Sequence, residues 1–157
     1  MPVDLSETIV SSIYKFLRNQ YEEQDNTGIL VCLTCLSGLC GYGRSFRLWS
    51  NYIESEYKKV CTVDMIDLLA AIASAYPIDS CIQQQISIIL MYCASIDRCI
   101  PRIIDTNILS RMCSFAKRMV NVIGESQVSV KTIDNAVYPY VSVIHHMCMQ
   151  SIECIQL

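Results

Sequence analysis

Apolar residues recur at three- and four-residue steps along most of the chain, the spacing of one face of an α-helix. In Asp4–Gln24 the stripe is Leu5, Ile9, Ile13, Phe16, Leu17 and Tyr21. Asp4, with Glu7 three residues on, fits a capping box. The polar run 22–26 closes this segment before Gly28. A second segment, from Ile29 to about Cys40, is almost wholly apolar and then meets Gly41 and Gly43. A third, Arg44–Val60, carries Phe46, Trp49, Ile53, Tyr57 and Val60 on one side. It either stands alone or continues the second, with the glycines as the weak point.

Asp64–Tyr76 reads as a fourth helix, stopped by Pro77. A fifth opens at Asp79 or Ser80 and runs to about Cys99, ended by Pro101. It is apolar on nearly all sides, as a helix at the centre of a bundle is. A sixth, Asp105–Ile123, turns Leu109, Met112, Cys113, Ala116, Met119, Val120 and Ile123 inward, with Gly124 as its C-cap. The tail, Val128 to Ile155, reads as one or two helices broken near Pro139. Strand signals are weak: Ser126–Thr132 alternates, but it is short and isolated. The expected fold is a single all-α domain over residues 1–157, a bundle of about seven helices around a hydrophobic central one.

Composition adds a surplus to place. Of 157 residues, 52% are hydrophobic and 17% charged. That excludes intrinsic disorder and exceeds the apolar share of an ordinary globule. The formal net charge is −3, and no Lys/Arg run exceeds the pairs Lys58-Lys59 and Lys117-Arg118. A nucleic-acid partner is therefore not expected. No stretch approaches the ~20 apolar residues that span a bilayer, so no transmembrane anchor is expected. MPVDLSE lacks the signature of a secretory leader.

Ten cysteines first suggest staples or metal. Most lie inside apolar runs, where a free thiol acts as a small hydrophobe; reduced, core-filling cysteines are expected. Cys32-Leu-Thr-Cys35 is a CxxC without the second pair that a structural zinc site uses, on a helical face expected to be buried. His145 and His146 are adjacent and diverge on a helix, one into the packing and one outward; His145 and Cys148 share a face. Asp64 and Asp67 share the N-terminal face of their helix, where capping and the helix dipole account for them. No phosphate loop, nucleophile elbow or triad grouping is present. Neither an enzyme nor a cofactor is expected.

Leu39-Cys40-Gly41-Tyr42-Gly43-Arg44-Ser45-Phe46 is more specific. Leu39, Gly43 and Phe46, with Cys35 at the preceding apolar position, resemble the Bcl-homology-three motif of the Bcl-two (B-cell lymphoma two) family of apoptosis regulators. In helical order and length the remaining segments are similar to the same family, with Ser80–Cys99 as its central helix. Two departures stand out. Arg44 occupies the motif's acidic position, and the family's Asn-Trp-Gly-Arg is missing near Ile78-Asp79-Ser80-Cys81. Divergent members without a membrane tail are typical of large DNA viruses, poxviruses and iridoviruses among them.

The resemblance implies a pro-survival protein of the host cytoplasm, peripheral to mitochondria. It would suppress apoptosis by holding the amphipathic helix of a pro-apoptotic host protein in a hydrophobic groove. The expected groove walls are Phe46, Trp49, Ile53, Ile66, Leu69, Ile72 and Ile82, with Trp49 and Tyr52 as aromatic anchors. The alternative is a helical homodimer whose interface absorbs the apolar surplus, acting on innate or inflammatory signalling without groove binding.

Overall fold

The computed structural model describes residues 5–45, 58–77, 80–125 and 130–155. Among them every regular element is helical: α1 (Leu5–Glu22), α2 (Asn26–Ser45), α3 (Val63–Ala75), α4 (Cys81–Cys93), α5 (Ile100–Asp105), α6 (Ile108–Glu125) and α7 (Val130–Ile155). A 3₁₀ turn, Asp97–Cys99, leads into α5. The all-α bundle expected from the periodicity is the fold observed.

Local chemistry sets the helix ends. Gln24 adopts the left-handed conformation (φ 59°) just past α1, a role usually given to glycine. Asp25 then caps α2: its Oδ1 accepts from the N–H groups of Thr27 and Gly28, both at 3.1 Å. The second helix thus starts at Asn26, three residues before the apolar run, and Gly28 belongs to it rather than breaking it. A Cβ on Gly28 would collide with the Gln20 side chain of α1, so this glycine lets the two helices close. α2 also continues through Gly41 and Gly43 to Ser45, beyond the expected end near Cys40.

Thr62 caps α3, its Oγ1 accepting from Met65 N–H, and Ser80 caps α4 through Gln83 N–H. Pro77 follows the end of α3 as expected. α4 is shorter than the sequence suggests. It stops at Cys93, where Ser95 Oγ donates to the Tyr92 carbonyl at 2.7 Å and the chain turns. Pro101 does not end that helix; it sits in the first turn of α5, where its missing N–H costs nothing. Asn107, at φ 58°, separates α5 from α6, which therefore starts at Ile108 rather than Asp105. Gly124 lies within α6, not after it. The tail is one helix that runs through Pro139. The cap Asp4 and residues 126–129 of the weak strand signal lie outside the described residues.

α4 is the axis. It packs against α2, α7, α3 and α6, while α1 closes over α2 and α3. Ile86, Ile89 and Leu90 are fully enclosed, each burial stabilising the fold by about 1.5–3 kcal/mol. One continuous apolar core reaches from Val10 to Val143. Polar ties fix the helices around it. Ser37 Oγ donates to Gln85 Oε1 across α2 and α4 at 2.6 Å. Tyr76 Oη donates to Asn26 Oδ1 at 2.8 Å, and Arg111 Nη2 to the Tyr76 carbonyl at 2.7 Å. Asp67 receives a two-pronged bond from Arg102 of α5, at 2.6 and 2.9 Å, which raises the guanidinium above its ordinary pKa, first through the hydrogen bond and then through charge. Asp67 is therefore an interhelix ion-pair residue and not a capping group, as its position near the N-terminus of α3 suggested.

Gln83, two residues before Gln85, lies about 200° round the helix and so points away from α2. It is fully buried, and neither end of its carboxamide has a hydrogen-bond partner among the described residues.

Candidate functional site

The expected groove residues divide into two sets. Phe46, Trp49, Tyr52 and Ile53 lie outside the described residues. Ile66, Leu69 and Ile72 are fully enclosed, and Ile82 is buried. These four sit at core positions of α3 and α4 and offer no open surface. A stripe at three-residue steps marks the inward face of a helix, and here the inward face meets the bundle's own core.

The motif helix is α2, which carries Leu39, Gly43 and Arg44; Phe46 follows it. Leu39 is half-buried against the core, while Cys35 is exposed. The motif side is therefore rotated away from the face that α2 packs inward, which is Ile29, Cys32, Leu33, Leu36 and Cys40. For the same reason the CxxC pair does not share one buried face: Cys32 is inside and Cys35 outside.

Among the described cysteines, Cys32, Cys40, Cys61, Cys93 and Cys99 are buried and free, and Cys35, Cys81 and Cys148 are exposed. Cys40, Cys61 and Cys93 are linked thiol to thiol through Cys61, and Cys99 Sγ donates to the Cys61 carbonyl at 3.5 Å. The contact with Cys61, and then burial, push the Cys40 thiol far up. For Cys61 the bond with Cys40 pulls down, but the bond with Cys93 and burial outweigh it, so that thiol too is raised. Neutral, buried thiols are poor nucleophiles. No group of three or more His, Cys, Asp or Glu with metal-holding geometry occurs among the described residues. His145 is exposed and His146 half-buried, their rings edge to face at 5.8 Å.

Sequence reasoning did not single out the concavity that the fold forms between α1, the segment before α3 and the turn before α5. This cleft has a volume of about 360 Å³. Val10 and Tyr14 of α1 and Met65 of α3 line its apolar part. Among the described residues, Lys58, Lys59 and Arg98 bring positive charge to it and Asp64 a carboxylate. Arg98 Nη2 donates to the Lys58 carbonyl at 3.5 Å, joining the turn before α5 to the segment before α3 at the rim. Thr62 also lines the cleft, which places the N-terminus of α3 and its positive dipole end at the same opening. The signal was present as the basic pair 58–59 and as Arg98, but these are 39 residues apart and nothing in the pattern joins them.

No protein-family model, curated protein or solved structure matches this chain. No described helix is long and apolar enough to cross a membrane.

Proposed function

We propose that this protein is a non-enzymatic binder of amphipathic helices that suppresses host-cell apoptosis by sequestering pro-apoptotic partners. The reading rests on the motif-bearing helix α2 lying directly against an enclosed central helix, α4. The sequence that follows α2, 46–57, is rich in large apolar residues. On this reading a partner helix lays its i, i+3, i+4 and i+7 face against residues of that stretch, with Trp49 and Tyr52 as anchors. Ile66, Leu69, Ile72 and Ile82 already fill the core, so on this reading the contacts to a partner fall to Trp49, Tyr52 and their sequence neighbours. Arg44 in place of the motif's acid favours partners with a carboxylate at the facing position. Calorimetric titration with a panel of pro-death helical peptides tests this. Binding at or below tens of micromolar, weakened by Trp49→Ala with the melting temperature unchanged, is expected. No heat from any peptide at that concentration overturns it.

A second reading, a homodimeric scaffold acting on innate or inflammatory signalling, is favoured by one observation. Tyr138, Val141, Ile144 and Met149 of α7 are exposed large apolar side chains on a single helix. Light scattering of the purified protein decides it: a monomer at all concentrations removes this reading.

A further inference from the structure

We draw no further inference here: the strongest candidate, the exposed apolar surface patch of Val141, Ile144 and Met149 on α7, goes no further than the dimer reading above, and nothing in the structure shows what covers it.

Discussion

α2 and α7 are both long helices laid against α4, and they divide their apolar residues differently: Val31 is the large apolar side chain that α2 leaves exposed, whereas α7 leaves four among its described residues. α2 turns Ile29, Leu33 and Leu36 into complete enclosure at steps of three and four, with Cys32 and Cys40 on the same side. α7 buries Val143 and Pro139 at a step of four, yet leaves Tyr138, Val141, Ile144 and Met149 in solvent, Val141 at 54% of its full exposure. Similar composition does not imply a similar role. α2 completes the jacket of the central helix on one side. α7 completes it on the other and still carries apolar surface outward. The surplus evident from the composition is therefore divided, part spent inside the core and part left exposed, with four of the ten exposed large apolar side chains among the described residues on α7.

The contrast can be broken at Leu36. Leu36→Ala should cost about 2–5 kcal/mol in chemical denaturation, through lost transfer energy and the cavity left behind. Ile144→Ala on α7 should move stability by no more than about 0.5 kcal/mol. Comparable losses at the two positions would mean that α7's outer side is covered, and the distinction would fall.

The far side of α4 sharpens it further. Gln83→Leu removes a buried carboxamide whose two ends are unpaired among the described residues, so it should stabilise the protein by about 1–3 kcal/mol. A loss would show that the amide has a partner, a bound water for instance. Within α2, Gly38 is helical and a Cβ there would meet nothing within 4 Å. Gly38→Ala should raise stability by about 0.5–1 kcal/mol, whereas Gly28→Ala should forfeit that gain against Gln20 and the Asp25 cap. The smallest effect belongs to Val141→Ser with Ile144→Ser. It should leave the melting temperature nearly unchanged and, if the outer stripe joins two copies, convert a dimer to a monomer in sedimentation.

Periodicity made the helices legible, but it set their inward faces only in part. α1 forms where the stripe Leu5 to Tyr21 lies, yet Ile9 and Phe16 of that stripe are exposed while Val10 and Leu17 are buried, and Val120 of α6 is exposed as well. Ser80 and Pro77 bound α4 and α3 as their chemistry requires. What periodicity does not report is the identity of the neighbour. Ile66, Leu69 and Ile72 satisfy both a groove wall and a core face, and packing chose the core. Boundaries failed where one side chain overrides composition. Asp25 starts α2 ahead of its apolar run, Ser95 and the following turn stop α4 early, and Asn107 with its positive φ resets α6. Pro101 was visible but reads either way, as a stop for the helix before it or the first turn of the one after. The Asp67–Arg102 pair and the basic cleft were not legible, since both join residues 35 or more apart.

Pro139 carries a consequence for how α7 moves. Lying inside the helix, it has no N–H to give the carbonyl of Asn135, and its ring crowds that turn. The ladder of backbone bonds is thus interrupted once, about a third of the way along. Residues before the gap and residues after it need not open together. Amide hydrogen exchange should resolve α7 into two rates, slower around Val143, where the helix is pinned to the core, and separate from the stretch that precedes the proline. The apolar stripe then rides almost wholly on the later half, so that its presentation can change without the bundle being disturbed.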